Sequence, residues 1–220
     1  NFSKPTEGKP ALLSFDEVNT LFHEFGHGLN GLFGKSVYPG AKRSPVDFVE
    51  LPSQIMENWA SHPEVLKMYA KHYQTGEPIP DELIQKIINS QYFNKGFETV
   101  EYLAASILDM DWHTLEQSFS DDVINFEKKA LDDLGLIPEI MVRYRSTYFN
   151  HIFSGGYSSG YYSYIWAEVL DKDAFEAFME TTLYNPDIAS SFRKNILEKG
   201  GTEDPMTLYL RFRGKEPSIQ

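Results

Sequence analysis

The chain has 220 residues, 41% of them hydrophobic and 15% aromatic, which is enough to build a globular core. Its formal net charge is −12 and its basic residues are scattered, so no basic surface is available for nucleic acid. Cysteine is absent, which excludes disulfides, thiolate zinc sites and cysteine nucleophiles and leaves histidine and carboxylate as possible metal ligands. No apolar run approaches the roughly 18 residues that span a bilayer. We therefore expect neither nucleic acid nor a membrane as a partner.

The first predicted helix covers residues 15–33. Ser14 and Glu17 stand at capping-box spacing, ahead of apolar residues at helical intervals: Val18, Leu21, Phe22, Phe25, Leu29 and Leu32. After a loop rich in glycine and proline, residues 45–61 predict a second helix, and Pro63 ends it.

The remainder of the chain also predicts helices, and strand signals are scarce. The predicted ranges are 64–74, 81–94, 97–117, 121–134, 160–181, 187–199 and 204–213. Glycines and serines interrupt this series of predicted helices between Phe149 and Gly160. Without a repeat or a long linker, the sequence predicts an all-α fold with few or no strands, and one domain over residues 1–220.

The stretch "TLFHEFGHGLNGLF" predicts a metal site on the first helix. His23 and His27 are four residues apart, so on a helix both imidazoles leave the same face. With Glu24 beside them they form the H-E-x-x-H pattern, in which two imidazoles hold Zn²⁺ and the glutamate takes a proton from the metal-bound water. The alternative is a pair of core histidines, each bonded to a backbone carbonyl.

A catalytic zinc ion usually has a third protein ligand, and the stretch "DFVELPSQIMENW" offers three carboxylates. We prefer Glu50, because the connection is long enough for the second helix to fold back beside the first. Asp47 better suits a helix N-terminus. Glu57 lies two turns after Glu50 on the same face, which suits a partner that accepts an N–H from a zinc-bound imidazole, although a surface charge is the alternative.

Three glycines lie in the first predicted helix, although each disfavours a helix by roughly 1 kcal/mol relative to alanine. They are Gly26, Gly28 and Gly31. We expect them to provide clearance for a neighbouring helix or an extended substrate, with loose packing near a helix end as the alternative.

The segment "HIFSGGYSSGYYSYIW" combines a predicted flexible turn at Gly155 and Gly156 with tyrosines at i, i+4 and i+7. On a helix, Tyr157, Tyr161 and Tyr164 would project along one face. Phenol or imidazolium groups can stabilise a developing oxyanion, and the candidates here are His151, Tyr157 and Tyr164. The alternative is a tyrosine stripe at the rim of the core.

Four stretches, in the same order along the chain, resemble the thimet-oligopeptidase family of zinc metallopeptidases, most closely its peptidyl-dipeptidase and oligopeptidase A branch. They are "GKPALLSFDEVNTLFHEFGHGLNGLF", "DFVELPSQIMENWA", "HIFSGGYSSGYYSYIWAEVLDKDAFEAF" and "FRGKEP". The resemblance implies that one Zn²⁺ is bound by His23, His27 and Glu50, and that Glu24 is the general base. It also implies that substrate binding and stabilisation of the tetrahedral intermediate fall to His151, Tyr157, Tyr161 and Tyr164, and we add Gly155 and Gly156 to the substrate-binding residues.

The same resemblance implies a mainly helical catalytic core that hydrolyses short, unfolded peptides. Since members of the family are much longer, we expect the chain to be the C-terminal part of a larger catalytic domain, with the missing N-terminal portion as its partner. Release of dipeptides from the carboxyl end is the preferred activity. The alternatives are a general oligopeptidase and a non-catalytic helical module that binds zinc or peptide. The compartment stays open.

Overall fold

The computed structural model of the chain describes residues 2–218, and over that range the all-α prediction is confirmed. The only β pairing among these residues is an isolated antiparallel bridge between Lys71 and Pro78. The α-helices are α1 Phe15–Phe33, α2 Leu51–Ser61, α3 Pro63–Tyr69, α4 Asp81–Ser90, α5 Lys95–His113, α6 Val123–Asp133, α7 Asn150–Phe153, α8 Ser163–Met179, α9 Pro186–Phe192 and α10 Pro205–Arg213. Within the same part of the chain, no helix is both long and apolar enough to cross a bilayer.

Helix α1 begins and ends where the sequence predicts. Ser14 Oγ accepts a hydrogen bond from the backbone N–H of Glu17 at 3.2 Å, and Glu17 Oε2 accepts one from the N–H of Ser14 at 2.8 Å. This capping box satisfies two backbone donors at the helix start. The helix that carries the two histidines is therefore fixed at its N-terminus by local sequence.

Helix α2 is shorter than predicted, beginning at Leu51 and not near Pro45. Residues 46–50 form turns, in which the backbone N–H groups of Phe48 and Val49 both bond to the carbonyl of Pro45 at 3.0 Å. Pro52 explains the difference: it lacks an N–H and would clash with the carbonyl four residues earlier in a helix interior, but it is tolerated in a first turn. Glu50 consequently lies at the N-cap of α2.

Other predicted helices end or begin differently by a few residues. The predicted helix over 187–199 divides into α9 and a π-helical turn, Arg193–Leu197. The short helix α7 and two 3₁₀ turns, Pro39–Lys42 and Ser146–Tyr148, were not predicted. These are segments of three to five residues, too short for a periodic pattern to develop.

The chain divides into two compact units, residues 1–90 with 165–220, and residues 91–164. In the first unit, α2, α8, the π-helical turn and α10 enclose a core that includes Leu51, Ile55, Leu170, Ile196 and Leu208. The second unit has its own buried clusters, around Phe149, Ile152 and Tyr161, and around Leu108, Ala130 and Val142. The single domain expected from the sequence stays a prediction.

Candidate active site

Helices α1 and α2 meet backbone to backbone at Gly26, which is buried. A Cβ atom at Gly26 would lie 2.2 Å from the carbonyl oxygen of Pro52 and 2.6 Å from Cα of Ser53. Only a residue without a side chain permits this approach. At Gly28 and Gly31, in contrast, an added Cβ atom would have nothing within 4 Å, so the expected clearance for a neighbouring helix is needed at Gly26 alone.

The close approach brings together the three residues that we predicted as metal ligands. Glu50 Oε2 lies 3.3 Å from His23 Nε2 and 3.3 Å from His27 Nε2. One ligand atom from each residue falls within 4.8 Å of the others. Two imidazole nitrogens and one carboxylate oxygen are the donor set of many catalytic zinc sites, in which the fourth position takes water. The residues present therefore fit a zinc ion.

Glu50 is held rigidly in this cluster. Its side chain is only 1% exposed, and Ser53 Oγ donates a hydrogen bond to Glu50 Oε2 at 2.7 Å. Glu50 is the N-cap of α2 and Ser53 lies three residues later. Their hydrogen bond therefore ties the carboxylate to the first turn of the helix. Asp47, the rival on sequence grounds, is not in the cluster formed by the described residues.

Glu57 contacts His23 at Nδ1, the ring nitrogen that does not face Glu50. Its Oε1 lies 2.7 Å from His23 Nδ1, and its Oε2 accepts a hydrogen bond from Asn19 Nδ2 at 2.8 Å. A carboxylate at Nδ1 favours the tautomer with the proton on Nδ1 and the lone pair on Nε2. This is the contact that the two-turn spacing from Glu50 predicted. Asn19 was missed, although it lies one turn before His23 on the same face of α1.

The carboxylates around His23 attract a proton to its imidazole. Burial acts to lower the pKa of this imidazole, but its hydrogen bonds to Glu50 and Glu57 and their negative charges outweigh burial and raise the pKa to about 9. Because a metal ligand must be deprotonated, a metal ion has to displace this proton. The negative charge around the imidazole favours binding of a proton or of a metal ion at this position.

Glu24 lies on α1 between the two histidines and is exposed to solvent. A carboxylate in this position is accessible to water. Its role as a general base stays a prediction.

Gly155 and Gly156 form a tight turn after α7, and the backbone at each position disfavours any other residue. A Cβ atom at Gly155 would lie 2.8 Å from Cα of His151, and Gly156 has a φ of +91°. The turn therefore requires glycine at both positions.

The prediction that three tyrosines share one helix face is wrong, because α8 begins only at Ser163. Tyr157 and Tyr161 precede the helix, and Ser159 between them has a φ of +53°, which interrupts a right-handed helix. The turn nevertheless brings the predicted rings together. Tyr157 stacks on Tyr164 with centroids 5.2 Å apart, and the ring of His151 lies 6.2 Å and 6.5 Å from them respectively.

Tyr161 lies in the core of its unit, with 2% of its surface exposed. Its ring stacks on Tyr102 at 5.0 Å and meets Phe149 edge-on at 4.8 Å. Burial raises the pKa of its phenol. The structure thus gives Tyr161 a packing role, and its predicted contact with substrate stays a prediction.

A helical chain whose H-E-x-x-H helix meets a carboxylate from the next helix is of the metallopeptidase class. The chain belongs to Peptidase family M3, whose family model matches residues 1–220. It is 49% identical to the dipeptidyl carboxypeptidase of Escherichia coli and 42% identical to oligopeptidase A of the same organism; both matches cover 100% of this chain and 33% of the relative. Saccharolysin of Saccharomyces cerevisiae is 36% identical over 99% of this chain and 31% of its own length. The chain thus spans about a third of the length of the curated relatives it matches.

Proposed function

We propose that this chain carries the zinc site and the general base of a peptidase that hydrolyses short peptides. The observation that carries the proposal is the convergence of one ligand atom each from His23, His27 and Glu50 within 4.8 Å of one another in a chain of Peptidase family M3. These residues would hold one Zn²⁺. When bound, the ion supplies Lewis-acid chemistry that polarises the scissile carbonyl and makes water more acidic, toward a pKa of ~7.

Glu24 serves as the general base in this proposal. Its carboxylate takes a proton from the attacking water as the new C–O bond forms, and it returns that proton to the amine nitrogen as the C–N bond breaks. Its exposure on α1 and its place beside His23 support this assignment. Glu57 holds the imidazole of His23 in the tautomer that leaves Nε2 free to bind the ion.

The second group of residues serves the substrate. His151, Tyr157 and Tyr164 donate hydrogen bonds to the oxygen of the scissile carbonyl as it becomes negative, supported by the mutual approach of their rings. Tyr161, Gly155 and Gly156 contribute to binding the peptide.

Release of dipeptides from the carboxyl end is the preferred activity, supported by the 49% identity to a protein named dipeptidyl carboxypeptidase. The general oligopeptidase is the alternative, favoured by the 42% identity to oligopeptidase A. These two activities differ in whether the free carboxylate of the peptide is required.

We propose that another part of a longer chain covers an apolar cavity of the first unit. The cavity has a volume of about 780 Å³, and the relatives are about three times as long as the match. Among the residues that line it are the exposed Met68 and Tyr184 and the partly buried Phe22, Met56 and Trp59. Exposed apolar surfaces of this kind mark interaction sites.

The substitution Glu24→Gln tests the proposed base. It should lower peptide hydrolysis by at least about a hundredfold, since a carboxamide cannot take the proton, while the zinc content of the protein stays at one ion per chain. Glu116→Gln is the matched control, because Glu116 is also an exposed glutamate and lies outside the proposed site. Unchanged turnover in Glu24→Gln would refute the assignment. Absence of turnover in the zinc-loaded wild type would instead favour the non-catalytic binding module.

A further inference from the structure

Asp109 is a buried acid on α5 for which neither the metal site nor the substrate residues provide a role. Its residue surface is 0% exposed. Its Oδ1 accepts a hydrogen bond from the backbone N–H of Ser159 at 3.0 Å, and its Oδ2 accepts one from the N–H of Tyr161 at 2.9 Å. Both oxygens of one carboxylate therefore bind the turn that lies between Tyr157 and Tyr164.

This turn is not a conformation that its sequence favours. Ser159 has a φ of +53°, in the left-handed region that residues other than glycine seldom adopt. The turn also has local backbone bonds, from the N–H of Tyr157 to the carbonyl of His151 at 3.0 Å, from the N–H of Gly160 to that of Tyr157 at 2.9 Å, and from the N–H of Ser163 to that of Gly160 at 3.0 Å. Asp109 instead ties the turn to a different helix, about fifty residues earlier in the chain.

The same carboxylate has a third polar partner. His113 Nδ1 lies 2.8 Å from Asp109 Oδ1, one helical turn further along α5. A buried carboxylate is tolerated when its oxygens are fully hydrogen-bonded. An asparagine of the same shape has only one acceptor oxygen, and its NH₂ group would face a backbone N–H. The two bonds to the turn thus specify an acid at this position.

We infer that Asp109 is a positioning residue for the proposed peptidase reaction, because its two oxygens fix the turn and so set the geometry of Tyr157 and Tyr164. The rings of these two tyrosines, on either side of the turn, stack with centroids 5.2 Å apart and an interplanar angle of 22°. The inference rests on the proposed function, in which both phenols act on the substrate carbonyl. A donor displaced by about 1 Å loses much of its effect on a transition state.

The alternative is that Asp109 only stabilises the fold of its unit. In that case Asp109→Asn would lower stability without a specific effect on the tyrosines. Glu127→Gln is the matched control: Glu127 is also a buried acid of residues 91–164, and its Oε2 accepts the backbone N–H of Ser146 at 2.8 Å, outside the turn.

Amide hydrogen exchange tests the contact without any need for activity. In Asp109→Asn, the amides of Ser159 and Tyr161 should exchange at least about tenfold faster than in the wild type, relative to the amides in the middle of α5. Glu127→Gln should leave this ratio unchanged. If Asp109→Asn folds poorly, Ser159→Gly in the same background removes the strain at φ +53° and permits the measurement. Unchanged relative exchange would overturn the inference.

A double-mutant cycle tests the positioning role. Asp109→Asn should lower kcat for a short peptide by on the order of tenfold to a hundredfold, with KM changed less than about twofold, since the phenols act in the transition state. In a background with Tyr157→Phe and Tyr164→Phe, the same substitution should lower kcat by less than about twofold. Glu127→Gln should have the same effect in both backgrounds.

The outcomes separate this inference from the proposed function. Equal losses of kcat from Asp109→Asn in both backgrounds, or an unchanged kcat beside faster exchange, would overturn the positioning role while peptide hydrolysis stands. Absence of hydrolysis by the zinc-loaded wild type would refute the proposed function, and the inference with it.

Discussion

The imidazole of His23 is held from two sides, by Glu50 at Nε2 and by Glu57 at Nδ1. Glu57→Gln should keep a hydrogen-bond acceptor at Nδ1 but remove its negative charge, so the imidazole becomes a weaker ligand. We expect zinc affinity to fall by about 10-fold to 100-fold, measured by competition with a chelator. Glu24→Gln makes the same chemical change without touching this bond and should retain the wild-type affinity. Equal affinities in all three proteins would show that Glu57 does not tune the ligand.

The sequence predicts the two histidines of the metal cluster, and the contact of Glu57 with it, because their spacing reflects helical periodicity. A spacing of four residues from His23 to His27, and of seven from Glu50 to Glu57, places each pair on one face of a helix. Ser53 could also be reached by this reasoning, since it lies one turn after Glu50. Asp109 could not, because its bonds to Ser159 and Tyr161 cross about fifty residues, and no local pattern encodes such a contact.

The crossing of α1 and α2 depends on the missing side chain at Gly26. In Gly26→Ala, the new Cβ would lie 2.2 Å from the carbonyl oxygen of Pro52, so the helices must move apart. We expect a loss of about 1–3 kcal/mol in the free energy of unfolding, by urea denaturation, together with weaker zinc binding.

Gly28→Ala is the matched control for this crossing, because nothing lies within 4 Å of its added Cβ. Alanine has the higher helix propensity, so this variant should gain up to about 1 kcal/mol. If Gly26→Ala were as stable as Gly28→Ala, the backbone contact between α1 and α2 would not limit their approach.

Helices α2 and α8 are joined by a partly buried polar contact, in which Asn58 Nδ2 donates to Oδ1 of the buried Asp171 at 2.8 Å. Burial raises the pKa of Asp171 to about 6. Because the folded state holds this proton more tightly than the unfolded state, the stabilisation is fully present below about pH 4 and is lost as pH rises through about 6.

Asp171→Asn should remove this pH dependence. Between about pH 4.5 and about pH 7.5, the free energy of unfolding of the wild type should fall by roughly 2 kcal/mol relative to that of the variant, measured by urea denaturation at both pH values. The other titrating groups are common to both proteins and cancel in the comparison. A difference that stays constant with pH would show that Asp171 titrates normally.

Element types were predictable along the chain, whereas several element boundaries were not. The capping box at Ser14 and the apolar periodicity define α1 from local sequence alone. At Pro52, the sequence is compatible with a kinked helix or with the start of a helix. In the structure, turns extend to Glu50 and the helix starts at Leu51. At Ser159, the backbone is left-handed and is hydrogen-bonded to Asp109, a residue distant in sequence, and the helix predicted over 160–181 begins three residues later, at Ser163.

At the scale of the whole molecule, the proposed exopeptidase and the alternative oligopeptidase differ in whether they need the free carboxyl end of the substrate. We expect a short peptide to be hydrolysed at least about tenfold faster than its carboxamide, because a site that binds a carboxylate rejects an analogue without the charge. Initial rates measured with the same zinc-loaded protein provide the comparison. Acetylation at the amino end is the control and should have a smaller effect. Equal rates for peptide and carboxamide would favour the general oligopeptidase.

The three residues of the candidate metal cluster come from one helical hairpin, and 27 positions separate His23 from Glu50. Closing a loop of this length costs about 3 kcal/mol of chain entropy, a modest term in folding. The coordinating set is therefore complete once α1 and the first turn of α2 have met, and among the described residues none beyond position 50 belongs to the cluster. Metal capture in this chain can thus accompany an early step of folding, in which a bound ion favours the hairpin that binds it.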